Sequence, residues 1–391
     1  MPVSAKGALW DIFCAVVDNF GDIGICWRFS RQLATEHKIP VRLWVDDLHS
    51  FQKICPQVDP ALPAQHIEGV NVVLWSADTQ WQQTTIATVV IEALACTIPE
   101  GYQQRMAATT EPVIWLNLEY LSAESWIEDC HGLTSPQAHP LLHKYFFFPG
   151  FTARTGGLLQ EQHLQQKLAA FRQDKTAQLQ FWHQLAIEQP AYYQRKISLF
   201  AYSHPQLAEL LVQWQQEHSA TLCLIPEGAL AEQVKQLYPE LQQQRQLTAG
   251  NLTLRILPFM PQPQYDLLLA ACDFNFVRGE DSVIRAHWAG QPFIWQIYRQ
   301  QEQAHLIKLN AFLARYTTAM PAALQQTITA MFLSWNTESA LVADWVAFSS
   351  ASTEIIQFNR YWQQQLSELG DLSGNLVRFV EKKFIMHRNF S

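Results

Sequence analysis

No apolar run in this 391-residue chain approaches the ~18 residues that a membrane-spanning helix needs, and residues 1–10 hold one lysine and no leader-like apolar stretch. A cytoplasmic protein without a membrane partner is therefore expected. Charge is sparse, at 16% of residues, and the formal net charge is -8. Lys and Arg form no block, so nothing would neutralise a run of phosphates, and a nucleic-acid partner is not expected. The seven cysteines are scattered, odd in number and free of any C-x-x-C pair, which fits reduced core residues. The thirteen histidines include no H-E-x-x-H, so no metal site is signalled. G-x-G-x-x-G and G-K-[ST] are absent as well, which disfavours dinucleotide binding and P-loop chemistry.

Hydrophobic residues are plentiful, at 48%. A single core stops growing at about 250–300 residues, so a chain of this length should form two domains. Short apolar, β-branched runs alternate with longer helical patterns from end to end, the signature of parallel βαβ units. The first half predicts strands near 11–17, 41–45, 70–75, 88–91, 113–118 and 145–148. A helix should run from Ile23 to His37, since Pro40 forbids continuation. A Gln-rich helical stretch then meets Pro190, and further strands follow at 196–201, 221–225, 252–257, 274–277 and 293–296. The expected architecture is α/β, with two Rossmann-like domains facing a central cleft. The domains are placed at 1–189 and 190–359, with a C-terminal helix of about 360–391 returning to the first.

Three strand-end segments could carry chemistry, because ligands of open α/β sheets sit at the carboxyl ends of strands. Asp18-Asn19-Phe20-Gly21-Asp22-Ile23-Gly24 places two carboxylates there. A turn with Asp22 as helix cap explains the same pattern equally well. Arg278-Gly279-Glu280-Asp281-Ser282 joins a strand to a helix. Its free N–H groups, partial positive charge, guanidinium and hydroxyl suit a diphosphate. Here the plain alternative is an Asp or Ser cap beside an Arg278–Glu280 surface pair. Phe200 and Tyr202 at one strand end, with Phe259 and Gln262 in a proline-framed loop, supply the faces and amide that a pyrimidine needs.

The strings Asp18 to Gly24 with Cys26-Trp27-Arg28, and Val277 to Ser282 through Arg285-Ala286 and Ala289-Gly290-Gln291-Pro292-Phe293 into Ile297-Tyr298, resemble the EarP family. These are elongation factor P arginine rhamnosyltransferases of the GT-B type. The resemblance runs through nearly the whole chain in order and spacing. It implies an inverting enzyme that moves L-rhamnose from dTDP-β-L-rhamnose to a guanidinium nitrogen of elongation factor P, with no cofactor and no metal. By motif, Asp18 and Asp22 become the acceptor-side carboxylates, with Asp22 the general base, and Glu280 a second catalytic acid. Arg278, Asp281, Ser282 and Tyr298 surround the diphosphate and sugar, while Phe200, Tyr202, Phe259 and Gln262 match the thymine-nucleoside positions. Gln296 and Arg299 depart from the family pattern beside Tyr298. A transferase with a small-molecule acceptor and a non-catalytic nucleotide-sugar sensor are the alternatives. The first would turn over without the protein acceptor, and the second would neither transfer nor hydrolyse the donor.

Overall fold

The structure, a computed structural model, describes residues 7–17, 20–110, 112–137, 139, 142–299, 303–337, 339 and 341–388. The chain divides into two units, Met1–Gln162 with Leu366–Ser391, and His163–Gln365.

The first unit is built on strands β1 (Trp10–Cys14), β2 (Val41–Val45), β3 (Ala64–Ile67), β4 (Val70–Leu74), β5 (Val89–Ala93), β6 (Ile114–Leu118), β7 (Thr134–Ser135) and β8 (His143–Phe147), in the order β3-β4-β2-β1-β5-β6-β8-β7. The central pairs are parallel, with Trp10 opposite Val41 on one side and Val89 on the other. The two edges, β3 and β7, pair antiparallel. β1 is buried along its length because both sheet faces are covered. On one face Phe13 meets Trp44, Trp81 and Tyr102, with ring centroids 4.9–6.1 Å apart. Burying an aliphatic or phenyl side chain of this kind contributes roughly 1.5–3 kcal/mol.

β1 also buries a carboxylate. Asp11 receives Arg42 Nε and Nη2 at 2.8 and 2.6 Å and the Tyr102 hydroxyl, so the charge is matched by a fork rather than left in the core.

The second unit holds β9 (Arg195–Leu199), β10 (Thr221–Pro226), β11 (Gln246–Ala249), β12 (Leu252–Leu257), β13 (Phe274–Arg278) and β14 (Phe293–Gln296), in the order β11-β12-β10-β9-β13-β14. Only β11 among these runs antiparallel to its neighbour.

The units divide at 162/163 and 365/366, where the sequence pattern suggested 189/190 and 359/360. Contacts explain the difference. The helix Leu164–Gln173 packs on the helices Gln262–Ala271 and Gly279–Ala289, and Arg172 Nε reaches Ala270 O at 3.5 Å. At the other boundary, Trp362 and Gln363 still bind His287. Beyond them the chain joins the first unit: Leu372 N–H donates to Leu158 O at 3.0 Å, and Phe379 packs on Phe147 and Tyr145. No helix among the described residues is long and apolar enough to cross a membrane.

Candidate functional site

In the first unit the carboxyl end of β1 leads through residues 15–20 into the helix Gly21–Thr35. Asp18 lies outside the described residues. Asp22 is the second residue of the helix and is almost fully buried. It does not cap that helix. The cap position is Phe20, which makes no side-chain cap bond, and the Asp22 carboxylate turns back to the loop. Its Oδ2 accepts the N–H of Val17 at 3.0 Å, and its Oδ1 lies 3.4 Å from the hydroxyl of Tyr120. Asp46, at the end of β2, accepts the N–H of Val16 at 2.9 Å. Two carboxylates thus fix the backbone that leads to Asp18, and the first turn of a helix is a favourable place for the charge of Asp22.

Tyr120 follows β6 and also donates to Leu94 O at 2.9 Å. A hydroxyl has one proton, so Leu94 and Asp22 compete for it. Leu94 and Ala95 both take positive φ, at 55° and 61°. Non-glycine residues hold that conformation only where the surroundings over-determine it, and such residues cluster at functional sites.

In the second unit, β13 ends at Arg278 and the helix Gly279–Ala289 begins at once. Gly279 has φ +63°, which only glycine adopts without strain, so the turn needs this residue. Ser282 closes the turn. Its hydroxyl accepts Arg278 N–H at 3.0 Å and donates to Arg278 O, and is buried in doing so. The hydroxyl therefore holds the backbone of its own turn. Glu280 and Asp281 occupy the first helical turn, half-buried.

The Arg278 guanidinium lies between two rings, its central carbon 4.6 Å from the centroid of Phe200 and 4.7 Å from that of Tyr202. Among the described residues no carboxylate is ion-paired with it, so the Arg278–Glu280 surface pair does not form. Tyr298, exposed, meets Tyr202 edge-on at 5.7 Å, and Tyr265 meets Phe200 at 5.8 Å. Gln262 starts the helix that carries Tyr265 and is buried, with Phe259 half-buried just before it. Phe200, Tyr202, Arg278, Ser282 and Tyr298 are thus brought into one contact chain, which Tyr265 extends toward Gln262.

Two supports carry no motif. Gln296 accepts the N–H of Tyr202 at 2.7 Å from the end of β14. Asp266 and Arg285, both buried, form a two-pronged pair with both bonds at 2.8 Å, joining the helices that begin with Gln262 and Gly279. Among the described residues no group of three or more His, Cys, Asp or Glu is arranged to hold a metal ion.

A family model described as Elongation-Factor P (EF-P) rhamnosyltransferase EarP matches residues 10–381. The chain belongs to the EarP family. As a member of the EarP family it is a glycosyltransferase. A protein-arginine rhamnosyltransferase of Pseudomonas aeruginosa is 43% identical over 378 residues, covering 95% of this chain and 98% of that protein. One from Shewanella oneidensis is 38% identical, covering 98% of this chain and all of the other. An EarP structure, described as the structural basis for EarP-mediated arginine glycosylation of translation elongation factor EF-P, superimposes with a TM-score of 0.69 at 31% identity, over 96% of this chain and 99% of its own. A glycosyltransferase from Rickettsia africae, at 8% identity and a TM-score of 0.51, shares the fold.

Proposed function

We propose that this EarP-family enzyme transfers L-rhamnose from dTDP-β-L-rhamnose to an arginine of elongation factor P, with inversion at the anomeric carbon. The match of residues 10–381 to the EarP family carries the reading, and the acidic net charge favours an acceptor that presents a cation.

In this reading the chemistry divides by unit. An arginine side chain has a pKa above 12, so no carboxylate removes its proton in advance. Asp18 and Asp22 hold the guanidinium fork and Asp22 accepts one proton as the C–N bond forms and nitrogen acidity rises. The bond from the anomeric carbon to the diphosphate oxygen breaks with its electron pair leaving on dTDP. Arg278 and the start of the helix Gly279–Ala289 stabilise that developing charge. Glu280 is the second acid of the site, and Asp281 and Tyr298 face the sugar and diphosphate. Positive charge comes from the protein, so transfer should proceed in the presence of a chelator.

The test incubates the protein with elongation factor P and dTDP-rhamnose and weighs the acceptor intact. One deoxyhexose added per acceptor supports the reading. Donor consumption with no change in acceptor mass would redirect it to a small-molecule acceptor.

A further inference from the structure

Phe200 and Tyr202 stand just beyond β9, and between them lies the side chain of a residue from the neighbouring strand β13. The Arg278 guanidinium carbon is nearly equidistant from the two rings, at 4.6 and 4.7 Å from the centroids. One face of each ring is thus already occupied by a cation, and a nucleobase cannot stack on that face while it is there. A guanidinium carries its five N–H donors in its own plane. Rings packed beside a guanidinium remove water from it and strengthen its attraction for an anion that meets its in-plane donors.

The rest of the arrangement supports the same end. The backbone of Arg278 is fixed at its root by Ser282, through both N–H and C=O. One wall of the clamp is also fixed. Gln296, opposite Arg278 in the register of β13 and β14 and 4% exposed, turns its side chain to the N–H of Tyr202 at 2.7 Å. A long side chain held at both ends before a ligand arrives loses less conformational freedom when it binds.

We propose that Phe200 and Tyr202 are positioning residues for Arg278, that Gln296 sets the Tyr202 wall, and that the rings act on the donor's phosphates through Arg278 rather than by stacking on its base. This rests on the reading that the second unit binds the donor nucleotide. It separates two jobs that aromatic residues at a nucleotide site can do: a ring under the base contributes equally to nucleoside and nucleotide, whereas a ring that orients a phosphate-binding cation contributes only when phosphate is present.

The experiment measures binding of thymidine, dTMP and dTDP to the full chain by calorimetry, with competition against dTDP for the weakest ligand. The variants are Tyr202→Phe, Tyr202→Leu, Gln296→Leu, Arg278→Ala and the double Tyr202→Leu/Arg278→Ala. Tyr202→Phe keeps the ring and should keep the wild-type ratio of dTDP to thymidine affinity. Tyr202→Leu should bind dTDP about tenfold more weakly and thymidine with unchanged affinity. Gln296→Leu should show the same phosphate dependence with a smaller loss. In the Arg278→Ala background, adding Tyr202→Leu should change nothing further, a coupling that general loosening of the fold would not produce. Equal losses for thymidine and dTDP, or a full Tyr202→Leu effect without Arg278, would show that the ring stacks on the base and would overturn the clamp. A wild-type chain that binds neither dTMP nor dTDP would instead remove the donor-site reading, and the clamp with it.

Discussion

Asp22 Oδ2 accepts the backbone N–H of Val17 at 3.0 Å, five residues upstream. The carboxylate therefore ties down the loop before its helix. This geometry makes Asp22→Asn an informative change, because the amide oxygen can keep the Val17 bond while the group loses its capacity to accept a proton. Transfer should fall by about 10²–10⁴-fold, the usual contribution of a general base, with dTDP affinity and thermal midpoint unchanged. Wild-type turnover in Asp22→Asn would leave this residue a loop clip only.

The two polar side chains at the β13 turn should respond differently. Arg278→Ala removes a charge-assisted partner and should weaken dTDP binding by about ten- to a hundredfold. Ser282→Ala removes a hydroxyl that both accepts from and donates to the Arg278 backbone in this structure, so its loss should be smaller. Equal losses would mean that Ser282 reorients to the phosphate when donor is bound.

The Asp266–Arg285 pair is a stability element with a functional position. Both residues are buried, so Asp266→Ala takes the two-pronged partner from a buried guanidinium and should destabilise the second unit by about 3–5 kcal/mol in urea unfolding. Asp266→Ala/Arg285→Met should recover much of this, since two apolar side chains leave no buried charge. A cost below about 1 kcal/mol for the single change would show that water reaches the pair.

Acid should weaken the fold through three histidines, two of them buried and one half-buried. His204 donates from Nε2 to Trp335 O at 3.0 Å and accepts Gln206 N–H at Nδ1, so its neutral form is fully used. His287 accepts Trp362 Nε1–H, and His131 accepts Phe148 N–H. Burial depresses all three below the ordinary 6.5, to about 4 for His204 and His131 and about 3 for His287. In the unfolded chain they take up protons first. Stability is therefore complete above about pH 6.5 and lost as pH falls toward 4. The urea midpoint should be clearly lower at pH 5 than at pH 7.5, and His204→Gln should narrow the gap. Equal midpoints at the two pH values would contradict this.

The strand-end loops and the central strands were legible because their signals are local: an apolar run followed by glycine and acid, then helical spacing. β1, β2, β4, β5, β6 and β8, and five of the six strands of the second sheet, fall where those runs predict. The antiparallel edges β3, β7 and β11 were missed, since they are two to four residues long and partly exposed, so neither length nor alternation marks them. The contacts made by Tyr120, Asp46, Gln296 and the Asp266–Arg285 pair were invisible for another reason. Each acts on a residue far away in sequence, and no spacing encodes such a contact. Phe200 and Tyr202 stand between these cases: an aromatic pair at a strand end can be read from sequence, but what lies between the rings cannot.

The most direct test of rhamnosyl transfer to a protein arginine uses three acceptors in one mass-spectrometric assay with dTDP-rhamnose. They are folded elongation factor P, a short peptide bearing its target arginine, and elongation factor P with that arginine changed to lysine. A guanidinium is present on every exposed arginine, so selectivity requires contacts beyond the reacting group. A compact ammonium could not fill the two-carboxylate clamp proposed for Asp18 and Asp22. The expected result is one deoxyhexose on the folded protein, localised by fragmentation to the arginine, a far slower reaction of the peptide and none of the lysine variant. A sugar on the lysine variant, or on any residue other than that arginine, would contradict the account.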